Sequence, residues 1–135
     1  MLCPYFSMNF IAIDPGVNTG IVVCDYYSDK PIVQITSRWN VITDIREILS
    51  KFDISRMDAI VESAPAYGDK HQIERVERVV SVLKEYLTDD YIHMISPGHW
   101  KNLAKARGWA REITGTIHEK DAYCMLMYYR MTTSK

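Results

Sequence analysis

Residues 9–26 read NFIAIDPGVNTGIVVCDY, and this segment is the strongest indication of the architecture. Residues 9–14 are a short apolar run that ends in Asp14, residues 15–20 supply turn formers, and residues 21–26 are apolar again. Short apolar runs on either side of a Pro- and Gly-containing turn are typical of paired strands. The segment therefore predicts a β-hairpin whose first strand ends in an aspartate.

The rest of the chain continues as strand and helix patterns. A third strand is predicted over residues 32–37, and apolar residues at helical spacing predict a helix near residues 43–52, capped by Thr43 or Asp44. Further elements are predicted in this order: a strand over residues 58–63, an amphipathic helix over 72–87, a strand over 91–96, a short helix over 100–106, a loop over 107–116 and a helix over 117–132. This order predicts an α/β fold with a five-stranded mixed sheet, three antiparallel strands and then two parallel ones, flanked by helices.

Length and composition indicate one ordinary globular domain. At 135 residues, 47% hydrophobic and 24% charged, the chain suits one packed core rather than a disordered or fibrous protein. We assign residues 9–135 to this domain and predict that residues 1–8 are a disordered extension. The apolar runs are too short to cross a bilayer and the start lacks a basic, signal-like region, so we expect a cytoplasmic protein.

The cysteines and the net charge exclude little. Cys3, Cys24 and Cys124 form no CxxC pair, so buried free thiols are expected rather than a disulfide framework or a zinc site. The net charge of −1 still permits nucleic-acid binding, because carboxylates that hold metal would offset basic residues elsewhere.

Carboxylates stand at the ends of two predicted strands. Asp14 ends the first strand and Glu62 the fourth, so both would emerge at one sheet edge if these strands are neighbours. Asp121 lies in the first turn of the last helix, on the same face as His118. Hard divalent cations prefer oxygen ligands, and two ions about 3.5–4 Å apart need several converging carboxylates. The pattern predicts a two-ion site for Mg²⁺, for which Mn²⁺ would substitute.

Each of these residues also has a simpler interpretation. Asp14 suits an ordinary Asp-Pro-Gly turn, and Asp121 would stabilise a helix N-terminus in any protein. His118 alone is typical of a surface or capping histidine. The topology and the joint occurrence of these residues favour the functional interpretation.

A basic segment precedes the last helix. Residues 93–111 contain four cations and no acidic residue, and two tryptophans are interleaved with them. Aromatic rings among cations are typical of nucleic-acid contacts, although a solvated face is the alternative and Trp100 equally suits the core. The predicted nucleic-acid-binding residues are Lys101, Lys105, Arg107, Arg111 and, in the loop after Glu62, Tyr67.

At this point the sequence resembles a known family. The segment IAIDPGVNTGIVV resembles the first hairpin of the RuvC-type Holliday-junction resolvases, which belong to the RNase H-like superfamily. DAIVES, which contains Glu62, and HEKDA, which contains His118 and Asp121, match further family motifs in the family's order. SPGHWK resembles the stretch in which a family lysine contacts phosphate, here Lys101. The resemblance covers roughly residues 9–130.

The resemblance implies an RNase H-like fold and a Mg²⁺-dependent, structure-selective endonuclease that resolves four-way or other branched DNA. It implies metal ligation by Asp14, Glu62 and Asp121, with His118 assisting catalysis, and attack by water that leaves a 5′-phosphate. Tyr67 would stack at the junction crossover, although its offset from the glutamate differs from that of the family. The short spacing of 20 positions between Lys101 and Asp121 suits a compact viral, phage or archaeal version.

The resemblance also implies a homodimer, since a junction has two phosphates to cut and the chain supplies one carboxylate cluster. The predicted helix over residues 72–87 is the candidate interface, because Val79, Val82 and Tyr86 widen its apolar surface beyond one stripe.

Three other functions remain open. One is a ribonuclease of the related rRNA-processing branch, and another is a noncatalytic nucleic-acid-binding module with the same fold. The third is an ATP-binding relative of the actin and sugar-kinase group, whose second lobe 135 residues do not provide.

Overall fold

A computed structural model describes residues 8–65 and 68–133, which form a five-stranded sheet flanked by four α-helices. The strands are β1 (Asn9–Asp14), β2 (Thr19–Asp25), β3 (Pro31–Ser37), β4 (Met57–Glu62) and β5 (Ile92–Ile95). The helices are α1 (Val41–Leu49), α2 (Lys70–Leu83), α3 (Pro97–Arg107) and α4 (Ile117–Thr133). Short 3₁₀ turns stand at Ile54–Arg56, Asp89–Tyr91 and Trp109–Arg111.

The sheet has the order β3-β2-β1-β4-β5. Strands β1, β2 and β3 pair antiparallel, whereas β4 pairs parallel with both β1 and β5. The predicted mixed sheet is confirmed, and so is the predicted adjacency of the first and fourth strands.

Both faces of the sheet are covered, which explains why its central strands are continuous apolar runs. Along β1, Ile11 and Ile13 belong to a core formed with α1 and α2. The alternate residues Phe10 and Ala12 belong to a second core formed with α3 and α4. The helices therefore form two layers, with the sheet between them.

The start of α1 differs from its prediction. The helix begins at Val41 with Asn40 at the N-cap, so the predicted caps Thr43 and Asp44 are wrong. Asp44 instead accepts a hydrogen bond of 2.6 Å from the Ser37 hydroxyl. This contact ties the first turn of the helix to the end of β3.

The face that α2 buries is wider than the apolar stripe predicted from the sequence. Val79 and Val82 are each only 2% exposed, whereas Ile73, the first residue of the predicted stripe, is 41% exposed. Because α2 packs against α1 as well as the sheet, its second apolar side lies inside the chain. The predicted dimer interface at Val79 and Val82 is therefore wrong.

The segment predicted as a loop from residue 107 is partly ordered. Helix α3 reaches Arg107 and ends at Gly108, whose φ of 68° is the left-handed conformation that glycine adopts readily. Trp100 and Trp109 are both buried, so the alternative core role of Trp100 is confirmed and neither ring is exposed for stacking on a nucleic acid.

The remaining predictions concern the cysteines, the N-terminal residues and membrane-spanning helices. Cys24 and Cys124 are buried free thiols, as predicted, while Cys3 lies outside the described residues. Residues 1–7 also lie outside them, but the Met8 carbonyl accepts a hydrogen bond from the Tyr26 amide at 2.7 Å. No helix in the described part of the chain is long and apolar enough to span a membrane.

Candidate active site

The centre of the site is a pair of carboxyl groups at one sheet edge. Asp14 ends β1 and Glu62 ends the adjacent parallel strand β4, so both emerge on the same side. Burial, together with the charge of Glu62 and a hydrogen bond to it, raises the pKa of Asp14 to about 8. The protonated form of Asp14 is therefore favoured beside Glu62, and the Trp100 indole donates a hydrogen bond to Glu62 at 2.8 Å.

Helix α4 brings the next two residues to this edge because it packs unusually close to β2. A Cβ atom at Gly20 would lie 1.9 Å from the His118 carbonyl oxygen, so only glycine permits this approach. Gly20 is the register partner of Asp14. The close contact therefore places the first turn of α4, with His118 and Asp121, beside the end of β1.

The start of α4 is held by a polar network on β3. The carboxylate of Glu119, only 8% exposed, accepts hydrogen bonds from Thr36 at 2.6 Å and Gln34 at 2.9 Å. The Glu119 amide donates to the Thr116 hydroxyl at 3.1 Å, the bond expected at a helix N-cap. Burial opposes ionisation of Glu119, but the hydrogen bonds outweigh it and lower the pKa of this group. The network fixes the helix from which Asp121 projects.

Asp121 interacts electrostatically with the carboxyl pair. Burial raises its pKa, the charge of Lys101 opposes that shift, Glu62 adds to it and His118 lowers it. Lys101 also lowers the pKa of Asp14. Three carboxyl groups, one lysine and one histidine thus share a half-buried region with an excess of negative charge.

The turn after Asp14 is braced from two sides. The Thr19 hydroxyl and Gly16 exchange hydrogen bonds of 3.2 and 3.3 Å across the turn. Gln72, in the first turn of α2, donates to the Pro15 carbonyl at 2.9 Å. The backbone that carries Asp14 is therefore fixed by both β2 and α2.

The donor chemistry of this region suits a hard divalent cation, because oxygen ligands with excess negative charge are what Mg²⁺ and Mn²⁺ prefer. Within residues 8–65 and 68–133, no three acidic, histidine or cysteine side chains converge closely enough to hold an ion as they stand. Asp14 and Glu62 are in contact, whereas the charges of Lys101 and His118 act on Asp121 and lower its pKa. Asp14, Glu62 and Asp121 are therefore the residues that would hold the metal. Of these three, Asp14 and Glu62 are already in contact.

A basic cavity of about 580 Å³ opens between α3 and α4 beside Asp121. Lys101, Lys105 and Arg111 line it, so the structure brings three of the predicted cations together next to the acidic cluster. Arg107 is exposed but does not line the cavity. Tyr67 lies outside the described residues.

Sequence reasoning missed three residues that shape the site: Gly20, Gln72 and Trp100 as a donor to Glu62. Gly20 was one of several turn glycines, and its close approach to α4 has no local signal. Gln72 and Trp100 act over 57 and 38 positions respectively, which no spacing rule reaches.

Comparisons with known proteins support the fold. No protein-family model matches the sequence, and no curated protein matches it either. Among solved structures, Thermus thermophilus RuvC in complex with a Holliday junction substrate aligns with a TM-score of 0.70 at 14% identity, covering 94% of this chain and 97% of that one. A second T. thermophilus RuvC structure aligns with a TM-score of 0.63 at 16% identity, covering 95% and 99%.

The Holliday junction resolvase of fowlpox virus aligns with a TM-score of 0.58 at 14% identity, covering 93% of this chain and 99% of that one. The chain therefore has the RNase H-like fold of the RuvC-type resolvases over nearly its whole length, as the sequence resemblance predicted.

Proposed function

We propose that the protein is a divalent-metal-dependent endonuclease that cuts four-way or other branched DNA. The observation that carries the proposal is the Asp14–Glu62 carboxyl pair on adjacent parallel strands, with Asp121 of α4 in electrostatic contact with both. The resolvase structures that share the fold support the substrate class, since one of them is bound to a Holliday junction.

Asp14, Glu62 and Asp121 would hold the metal, with two Mg²⁺ or Mn²⁺ ions per site. When bound, such ions activate water and stabilise the leaving oxygen of a phosphodiester. The Trp100 and Gln72 hydrogen bonds orient Glu62 and the Asp14 turn, so these ligands are held before the cation arrives.

The remaining residues act on the nucleic acid and on protons. Lys101, Lys105 and Arg111 bind backbone phosphates in the cavity beside Asp121. His118, whose charge acts on Asp121, would serve as a proton-transfer group. The hydrolysis would leave a 5′-phosphate and a 3′-hydroxyl.

The test is a cleavage assay on labelled four-way junctions, blunt duplex of the same sequence and structured RNA, each with Mg²⁺, with Mn²⁺ and with chelator. We expect cleavage of the junction that depends on metal and exceeds cleavage of duplex. Cleavage of RNA alone would replace the proposal with the ribonuclease function. Metal-independent binding without cleavage of any substrate would support a noncatalytic module.

We further propose that the working form is a homodimer, because paired incision of a junction needs two sites and each chain carries one. Since Val79 and Val82 are buried within the chain, the interface must lie elsewhere. Light scattering at assay concentration, with and without junction DNA, tests the stoichiometry. A monomer that still makes paired cuts would contradict this part of the proposal.

A further inference from the structure

A second cavity, of about 210 Å³, lies on the opposite layer from the basic cavity described above. It is bounded by the turn between β3 and α1 and by α2. Thr19, which lines it, pairs with Ser37 one residue beyond the Asp14–Gly20 pair, so the cavity opens at the same sheet edge as the carboxyl cluster. Two strand spacings separate β3 from β1, a distance of about 10 Å.

Three arginines, Arg38, Arg75 and Arg78, line this cavity. Within the described ranges none of them forms an ion pair with a carboxylate, although Asp69 lies within range of the charge of Arg75. Other arginines do have such partners: Arg46 pairs with Glu85 at 2.9 Å. Three guanidinium groups around one cavity without a paired carboxylate create a local potential that attracts anions.

The cavity also carries an unusually exposed aromatic ring. Trp39 is 83% exposed, whereas the other two tryptophans, Trp100 and Trp109, are 3% and 6% exposed. The Arg38 guanidinium lies 4.8 Å from the centre of the Trp39 ring. A solvent-facing tryptophan among arginines is the combination with which proteins hold unpaired nucleotides, since bases stack on the ring and cations bind the phosphates.

This cavity is connected to the turn that carries Asp14. Arg75 donates to the Gln72 side-chain oxygen at 3.3 Å, and the amide nitrogen of Gln72 donates to the Pro15 carbonyl at 2.9 Å. A strand bound at the cavity would therefore lie next to the active-site turn.

We propose that the pocket formed by Arg38, Trp39, Arg75 and Arg78 binds an unpaired nucleotide of a nucleic-acid strand, with the base stacked on Trp39 and the phosphate held by the arginines. This inference rests on the proposed function for its biological meaning. It concerns a different surface from the basic cavity beside Asp121, and the binding itself can be measured without cleavage.

The test measures tryptophan fluorescence in the presence of a metal chelator, which prevents metal-dependent cleavage. Because Trp100 and Trp109 are buried, emission from a solvent-exposed indole reports on Trp39. We expect a short oligothymidylate to quench this emission and a blunt duplex to quench it much less. Inorganic phosphate is the third probe, and quenching by phosphate equal to that by the oligonucleotide would overturn the stacking part of the proposal.

Variants locate the binding on the pocket. Trp39→Leu should weaken oligothymidylate binding, measured by anisotropy of a labelled strand, roughly tenfold, while Trp39→Phe should retain most of the affinity. Arg38→Ala and Arg78→Ala should each reduce the slope of log affinity against log salt by about 0.7. The matched controls are Tyr27→Ala, which removes a ring that is 80% exposed near the opposite sheet edge, and Lys51→Ala, which removes a cation at the far end of α1. Both should bind like wild type.

The outcomes separate this proposal from the nuclease proposal. Oligonucleotide binding without quenching, or an effect of Tyr27→Ala as large as that of Trp39→Leu, would overturn the pocket while leaving junction cleavage untouched. Oligothymidylate affinity that falls in Trp39→Leu but not in Tyr27→Ala, measured by anisotropy in a protein that cleaves nothing with Mg²⁺ or Mn²⁺, would support the pocket and overturn the nuclease.

Discussion

The carboxyl groups at the two ends of β4 have opposite surroundings. At its start, Asp58 lies 2.9 Å from the Nε2 atom of His93, and the Tyr129 hydroxyl contacts the same nitrogen at 3.1 Å. At its end, Glu62 faces the carboxyl group of Asp14. The carboxyl group at the first end has a histidine and a tyrosine beside it, whereas the one at the second end lies against another carboxyl group.

From this difference we expect the end of β4 that carries Glu62 to be the functional one. A carboxylate with hydrogen-bonding partners is already satisfied, but a buried pair of carboxyl groups raises the free energy of the folded chain at neutral pH unless a cation or a proton joins it. The sheet edge that carries Asp14 and Glu62, with Asp121 beside it, is called the acidic edge below. It is therefore the end that should respond to metal, and the Asp58 end is an internal control on the same strand.

The largest expected effect comes from removing charge at the acidic edge. Asp14→Asn, Glu62→Gln and Asp121→Asn should each abolish junction cleavage while leaving junction binding nearly unchanged, because the phosphate contacts lie on other residues. Asp58→Asn is the matched substitution at the other end of β4 and should keep cleavage. A gel assay combined with anisotropy measures both properties. Cleavage at the wild-type rate by any of the three variants would remove that residue from the site.

A smaller effect is expected from the histidine at the acidic edge. His118→Ala should slow cleavage by about 10²–10⁴-fold and remove one limb of the pH–rate profile, as for a proton-transfer group. His93→Ala, at the Asp58 end, should leave the profile unaltered. If the two variants give the same profile as wild type, proton transfer by His118 is contradicted.

The acidic edge should also make stability depend on pH and on metal. Because the pKa of Asp14 is raised to about 8 in the folded chain and lies near 3.9 when unfolded, folding favours the protonated form. The stabilisation is complete below about pH 4 and is lost as the pH rises to about 8. The Tm of metal-free protein should therefore fall between pH 5 and pH 8 more steeply than that of Asp14→Asn.

Added Mg²⁺ or Mn²⁺ should raise the Tm more at pH 8 than at pH 5, because protons compete with the metal for the carboxylates. Calorimetric melts of wild type and Asp14→Asn at both pH values measure the difference. Equal shifts in the two proteins would argue against a cation at Asp14.

The smallest effect concerns the lysine beside the acidic edge. Lys101→Ala should weaken binding to all DNA sequences alike and flatten the salt dependence by about one counterion, as expected for a phosphate contact. Lys51→Ala removes a distant cation and should leave the slope unchanged. An identical slope in both variants would place Lys101 outside the interface.

Features that depend on local pattern could be predicted from the amino-acid sequence. Apolar runs and turn residues predicted all five strands, including the strands that end in Asp14 and Glu62, because burial on both faces produces continuous apolar runs. Helical spacing predicted that His118 and Asp121 share a face. These features depend on residues a few positions apart, so they can be recognised without the fold.

Tertiary structure decided the features that depend on distant contacts. The rotation of α2 follows from its packing against α1, which buries Val79 and Val82, and a helix with two apolar sides gives no local sign of which side faces the sheet. Trp100 and Trp39 are both tryptophans near cations in the sequence, yet only Trp39 is exposed. The reason is that exposure depends on which element packs over a residue, and that element comes from elsewhere in the chain.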